Sequence, residues 1–597
     1  MSARSMARAR ERELDRDRRR LSRRVRRASA GAAVALGAGI ALAPAADAAT
    51  FNVNSNNDGP ANACDATCTL RDAIEAANAD AAEDLITFAP TVTGSIELDP
   101  GEGELPIEAA TVIRGPGAEA LTVEAFSSSQ LFDVDVSTVG ASYDDVSISG
   151  LTLRGGLDPS GGAFDAENSD VTIDALVLRQ NEADNIGGAI SVDNGKLTVL
   201  NSRFANNTAG EGGAIYANDD FPSVGDGSAS LVIRDSTFTG NTATEPGTGS
   251  AGAVYFDDTV DSALISGSTF SGNVASFGGG AINAFGVQTG VARIENSTIT
   301  GNTAGHAGGG IYVYNEYDNP IEIVNSTVTG NVAGDTGGGL YNYAFDDPVE
   351  SGNGDVTVSS TVVAGNDATV GPDLANRVYE AGDNPVQGTF LTGFSLIGDT
   401  AGAPITETPA GSNILNADPQ LGGLTNNGGP TQTMLPAATS PLVDAGVANG
   451  LTTDQRGLPR TVKRSFTLPP GGDGTDIGSV ELQDNGLTGT TVKAEKKQRQ
   501  KGKKVVITVL AGADEDVQAT GSGSIKAGKA KAKLKTVTKT VAGGKLAKLK
   551  LTPKKKKDSK KIIDALEKKE GKAKLKVVLT DPAGNSETEK PKVTLKG

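Results

Sequence analysis

The chain has no tryptophan, one histidine, three methionines and two cysteines in 597 residues, and aromatics make up only 4%. A lone histidine, His306 in GNTAGHAGG, leaves histidine-based acid–base chemistry one candidate and no obvious partner. One histidine and one cysteine pair cannot assemble a zinc site. No P-loop, dinucleotide motif or convincing Ser-His-Asp pattern occurs. Apolar residues total 37%, low for a compact globular domain. That excludes a single large oily core and favours a thin core repeated many times.

What is abundant is glycine, 77 residues, and charge that is unevenly spread. Residues 1–48 carry a net +7, residues 491–597 a net +19, and the body between them −44. An acidic body with a basic tail suggests different partners for the two, or each other. The Arg-rich start, the Ala/Gly stretch Ala28 to Ala43 and the small-x-small site Ala46-Asp47-Ala48 read as an export signal over 1–48. The alternative is an uncleaved anchor helix, although the stretch is short for a bilayer. Ser22-Arg23-Arg24 resembles a twin-arginine signal, with Arg26 and Arg27 departing from it, so the Sec and twin-arginine routes both stay open. In an exported chain the close pair Cys64 and Cys68 reads as a disulfide.

One phrase recurs along the body: NSRFANNTA, DSTFTGNTA, GSTFSGNVA, NSTITGNTA, NSTVTGNVA. A glycine cluster and a short apolar strand follow each copy, as in GGAIY and GGGIYVY. LVIRDSTF and ARIENSTI alternate apolar and polar residues, which is strand periodicity. A unit this short cannot bury an apolar face alone but can when stacked on copies of itself. Asn207, Asn241, Asn273, Asn302, Asn331 and Asn366 recur at equivalent places and are expected to form a structural ladder.

These repeats resemble the right-handed parallel β-helix repeats of polymorphic outer-membrane-type and pectin-lyase-like proteins. The resemblance implies an all-β solenoid over 85–415, of pectin-lyase-like form. Residues 49–84 form its N-terminal cap: CDATCTLRDAIEAAN has helical spacing at Leu70, Ala73, Ile74 and Ala77, and resembles the Cys-Ser-Leu-Arg-Glu-Ala motif of secreted β-helix proteins. Thr69 and Asp72 replace the Ser and Glu of that motif. Residues 416–484 contain ADPQLGGLTNNGGPTQTMLPAATSPLVDAG, TDQRGLPR and DIGSVEL, which together resemble a choice-of-anchor family-Q domain closing the helix. That resemblance implies a surface protein and no reaction; Arg456 with Asp444, Asp454 or Asp476 is read as ion pairing within the cap. Residues 485–597 alternate apolar residues with lysine, contain one short helix, and end in DPAGNSETEKPKVTL, which resembles the final hairpin of bacterial immunoglobulin-like domains. A small β-sandwich is expected there, with a disordered basic tail as the alternative because apolar residues are sparse for a core.

Candidate ligand-binding residues follow the glycine-led strands: Tyr216, Asp219, Asp220, Tyr255, Asp257, Asp258, Tyr312, Tyr314, Glu316, Tyr341, Tyr343, Asp346 and Asp347. Three readings compete for this face. Its aromatics could pack the core while the acids solvate loops. Exposed tyrosines could stack on sugar rings while carboxylates bond hydroxyls or hold Ca²⁺, the one cofactor candidate. Paired carboxylates could hydrolyse a glycosidic bond, or serve a Ca²⁺-dependent lyase. No catalytic residue is assigned. The expected role is adhesin-like binding of extracellular polysaccharide or a neighbouring surface, with a polysaccharide-active enzyme and a passive spacer as alternatives. The basic module is expected to bind an anionic envelope surface or the acidic body; nucleic acid is the weakest option for an exported chain.

Overall fold

The computed structural model describes residues 48–79, 82–125, 129–136, 145–218, 229–257, 260–285, 287, 290–315, 320–344, 354–377, 388–484, 486–500 and 502–597. The chain divides into two compact units, one of Met1–Gly210, Ala214–Val232 and Phe256–Ser262, the other of Glu211–Gly213, Ile233–Tyr255 and Ala263–Gly597. The first unit and the β-helical part of the second are each built of coils with parallel strands in four sheets, a right-handed β-helix; the second also holds residues 416–597.

One coil of the first unit shows the plan. Sheet 1 contributes Asp170–Asp174, sheet 2 Val177–Arg179, sheet 3 Glu182–Ile186 and sheet 4 Ile190–Asp193. Alternation puts Val171 and Ile173 inside and Thr172 outward, and Val171 lies in register with Val146 and Leu197 of the neighbouring coils. Apolar residues thus stack on apolar residues, and the thin core forms by repetition. Corners between strands need positive φ, which Ala175 (52°) and Gln180 (56°) supply here. The glycine clusters have a different reason: a Cβ on Gly280 would lie 2.1 Å from the carbonyl oxygen of Gly309 in the next coil.

At the start of the first unit stands helix α1, Leu70–Ala77, closed by a capping box between Thr69 and Asp72. Leu70, Ala73, Ile74 and Ala77 are buried, as their spacing predicts. Cys64 and Cys68 form a disulfide just before it. Arg71 grips Asp58 with two bonds (2.9 and 2.8 Å) and also donates to the carbonyls of Gly103 and Glu104 (both 2.8 Å).

In the second unit the asparagine column is a continuous hydrogen-bonded ladder from Asn241. Backbone N and Nδ2 of Asn241 both donate to Asn273 Oδ1 (3.0 and 2.9 Å), and the pattern repeats to Asn302, Asn331 and Asn366. It ends on Asp373, whose Oδ1 accepts from Asn366 N and Nδ2. In the first unit Asn181 bonds Asn207 in the same way. A second ladder runs beside the first: the backbone N–H of Ser268, Ser297, Ser326 and Thr361 each donates to the Ser or Thr hydroxyl one coil on.

The last coil strands are Ile405–Glu407 and Ile414–Leu415. Residues 416–484 add no further coil. They run back along the flank of the second unit as an irregular strap, reaching Gly267 and Thr269. The C-terminal module packs two sheets and helix α2, Lys556–Leu566, around one core that includes Val509, Leu549, Ala519, Val577 and Ile562.

Candidate functional site

The outer face of sheet 4 in the second unit carries the aromatic residues. Strands Ile282–Phe285, Ile311–Asn315, Leu340–Ala344 and Leu374–Arg377 pair in register, so two columns form: Asn283, Tyr312, Tyr341, Ala375 and Phe285, Tyr314, Tyr343, Arg377. Rings stack along them, Tyr312 on Tyr341 at 5.0 Å, Phe285 on Tyr314 at 4.6 Å and Tyr314 on Tyr343 at 5.0 Å, with Tyr255 at 5.5 Å from Phe285. The Arg377 guanidinium lies 5.2 Å over the Tyr343 ring. Phe277 flanks Tyr312 and also touches His306, whose Nδ1 pairs with Asp335.

The column of Asn283, Tyr312, Tyr341 and Ala375 is buried, while that of Phe285, Tyr314, Tyr343 and Arg377 is half-buried to exposed. Tyr255, Tyr312 and Tyr341 are 4–8% exposed; Tyr314 and Tyr343 keep half-buried edges. Burial pushes the Tyr341 phenol up to about 12 and raises Tyr312 further, so both stay neutral. In the first unit Tyr216 is fully buried and its hydroxyl donates to Asp257 at 3.0 Å. So Tyr216, Tyr255, Tyr312 and Tyr341 offer no face for stacking on a sugar. Asp219, Asp220, Asp258, Glu316, Asp346 and Asp347 lie outside the described residues.

Two other surfaces are more open. In the first unit, sheet 2 forms a polar groove of about 520 Å³, lined by Glu119, Thr122, Thr152, Val177, Arg179, Gln180, Arg203 and Asn206 among others. Register places Thr122, Thr152, Val177 and Arg203 in one column and Glu124, Arg154 and Arg179 in the next. This concentrates arginine on a body that is otherwise acidic. In the second unit the corresponding threonine column is occupied by the strap: Thr298 Oγ1 donates to Gln455 Oε1 (2.6 Å), and Gln455 Nε2 donates to Thr269 Oγ1 (2.9 Å). The repeated Asn-Ser-Thr therefore serves three purposes. Asn296 and Asn325 turn the corner at positive φ and bond Thr453, Arg460, Val447 and Asn449 of the strap; Ser297 and Ser326 form the second ladder; Thr298 and Thr327 dock the strap. The recurring triplet was the available signal, but it does not say what it faces.

The strap is tied by carboxylates rather than strands. Asp454 takes Arg456 in an ion pair at 2.7 Å and accepts from the backbone N of Arg456, Leu458 and Glu481. Asp476 and Glu481 are fully buried, and Asp476 N donates to Glu481 Oε2. Burial pushes both carboxyls up, Glu481 further because Asp476 lies beside it and Asp476 because Asp444 does. Every one of these groups is spent on holding backbone, which is an architectural use.

The third surface is the outer face of the larger sheet in the C-terminal module. Lys526 lies opposite both Lys531 and Lys572, and Lys574 lies opposite Lys592. All five are exposed. Like charges set opposite one another destabilise a sheet, so the face is a concentrated positive field with a standing cost.

Comparison with known proteins finds the coil unit. Residues 201–218 match the Chlamydia polymorphic membrane protein repeat. This repeat copy spans strand Arg203–Ala205, the ladder residue Asn207 and strand Ile215–Asn218, so the match covers most of one coil. Two residues of the groove, Arg203 and Asn206, lie inside it. No curated protein and no solved structure matches the chain. The protein is a β-helix repeat protein.

Proposed function

We propose that this chain is an exported, surface-exposed protein with an adhesin-like role, held to an anionic envelope polymer by its C-terminal lysine face. The carrying observation is the set of facing lysines at Lys526, Lys531, Lys572, Lys574 and Lys592, an arrangement that a polyanion relieves. The match to a polymorphic membrane protein repeat supports surface exposure, and so does the export signal read at 1–48. In this reading residues 64–78 act as a Cys-Ser-Leu-Arg-Glu-Ala-like start, residues 416–484 as a choice-of-anchor family-Q segment, and residues 485–597 as an immunoglobulin-like module. The test is cosedimentation of the full chain with phosphocellulose and with phosphatidylglycerol vesicles as salt rises from about 0.05 to 0.5 M, where surface charge is progressively screened. Binding should weaken steeply, and a variant combining K526Q, K572Q, K574Q and K592Q should bind at least tenfold less. Salt-insensitive binding, or equal binding by the variant, would refute the reading.

A second reading concerns the sheet 2 groove, whose Arg179, Arg203, Gln180 and Asn206 offer donors suited to a hydroxyl-rich glycan. A glycan array with wild type and with R179A/R203A tests it. Loss of signal in the double variant supports the groove; unchanged binding moves the ligand elsewhere, the half-buried edges of Tyr314 and Tyr343 being next.

A further inference from the structure

Asp484, Glu515 and Asp581 converge where the strap enters the C-terminal module, and one carboxylate oxygen of each lies within 4.8 Å of the other two. They come from separated stretches: Asp484 follows the strap, Glu515 precedes strand Val517–Ala527, and Asp581 follows strand Gly571–Thr580. Each is held by local bonds. Asp581 Oδ1 accepts from Asn585 N (2.7 Å), Asp484 Oδ1 from Gly486 N (3.3 Å) and Asn585 Nδ2 (3.4 Å), and Glu515 Oε1 from the backbone N and hydroxyl of Thr488 (2.5 and 3.0 Å). Asn585 Nδ2 also donates to the Asp484 carbonyl at 3.2 Å.

These bonds leave oxygens over. Asp581 is only 2% exposed, and Oδ2 of Asp581 and Oδ2 of Asp484 are both shielded from solvent with no hydrogen-bond partner among the described residues. A buried carboxylate oxygen with nothing to accept from is costly. The setting sharpens the point: the module holds 30 Lys and Arg against 11 acids from residue 491 onward, yet no ion pair among the described residues involves any of the three. Three hard carboxylates within reach of one another, two of which carry a shielded oxygen without a partner among the described residues, match what a calcium ion takes, with water completing the coordination.

We infer that Asp484, Glu515 and Asp581 form a calcium site that fastens the C-terminal module to the strap. The site lies apart from the lysine face and does not depend on what that face binds.

Calorimetric titration of the chelator-treated full chain with CaCl₂ tests this. One site with Kd of about 10⁻⁴–10⁻³ M is expected, the range of extracellular calcium modules. Asp581→Asn preserves the acceptor for Asn585 N while removing charge, and Glu515→Gln changes a residue outside the core; each should weaken binding at least tenfold with an unchanged far-ultraviolet spectrum. Calcium should also slow limited proteolysis between strap and module at least fivefold in wild type and not in Glu515→Gln. No calcium binding by wild type overturns the inference, as does wild-type affinity in both variants. Should Asp581→Asn fail to fold, Glu515→Gln alone decides.

Discussion

Replacing Asn302 with alanine is the most direct way to ask whether the ladder holds the coils. Asn302 is fully buried. Its Nδ2 donates to Phe270 O (3.1 Å) and Asn331 Oδ1 (2.8 Å), and its Oδ1 accepts from Asn273 N (3.0 Å) and Asn273 Nδ2 (2.9 Å). Alanine removes all four bonds. Some partners keep a second one: Asn273 Nδ2 still reaches Phe238 O, and Asn331 Oδ1 still accepts from the backbone N of residue 302. The backbone N of Asn273 is left in a dry interior without its acceptor. An orphaned buried donor costs about 1–3 kcal/mol, and the other losses add roughly 1 kcal/mol each at most. The sum is about 3–5 kcal/mol, and it falls on the adjacent coils, because a solenoid is coupled to its nearest neighbours. Native-state hydrogen exchange on the full chain reads it locally. Protection of the amides of Asn273, Thr303 and Val332 should drop by about 10²- to 4 × 10³-fold, at 1.4 kcal/mol per decade. A drop of less than about fivefold would refute the view that the ladder carries coil stability.

Three further outcomes follow from the same geometry. Gly280→Ala should cost more than about 3 kcal/mol, because its Cβ meets the Gly309 carbonyl at 2.1 Å; Gly301→Ala, at φ 67° with open space around its Cβ, should cost only about 1–2 kcal/mol, and equal melting points for the two would contradict the close-approach argument. Arg71→Ala strands Asp58, whose side chain is 2% exposed, and should cost about 3–5 kcal/mol in denaturant unfolding; a loss under 1 kcal/mol would remove Arg71 as the anchor of α1. The strap should loosen as pH rises. Asp476 and Glu481 are raised to about 7 and about 8 in the fold, while unfolded carboxyls titrate near 4, so between those values the folded strap retains protons that the unfolded chain has released. The resulting stability is complete below about pH 4 and is lost as pH climbs to about 8. Limited proteolysis of the strap should therefore be faster at pH 8.5 than at pH 5, and Glu481→Gln should flatten the difference; equal rates in wild type would argue against proton retention by these carboxyls in the fold.

Much of the solenoid was legible because its signal is local and repeated. A strand's inside and outside follow from alternation, and Val171 must stack on Val146 once the coils are equivalent. The Asn ladder was equally visible, though two of its members were not: Asn181 stands in a divergent copy, and the terminal acceptor Asp373 is not an asparagine. Between packing and exposed stacking the sequence left the tyrosines open, for a definite reason. Tyr312 and Tyr341 sit at outward positions of their strands, but neighbouring rings and the Arg377 side chain cover them. Alternation reports which side of a sheet a residue occupies, not what lies on that side.

The sequence by itself determined the repeating unit: its alternating strands, its glycine clusters and its ladder, which are set by contacts between equivalent residues of successive copies; composition alone determined the charge contrast between body and tail. Only the tertiary structure decided where the non-repeating chain goes. Residues 416–484 lie along the flank of the second unit, because threonines and asparagine corners there offer hydrogen bonds that an irregular segment can meet. The meeting of Asp484, Glu515 and Asp581 belongs to the same class: residues far apart in sequence, with no period to announce them, brought within 4.8 Å by packing alone.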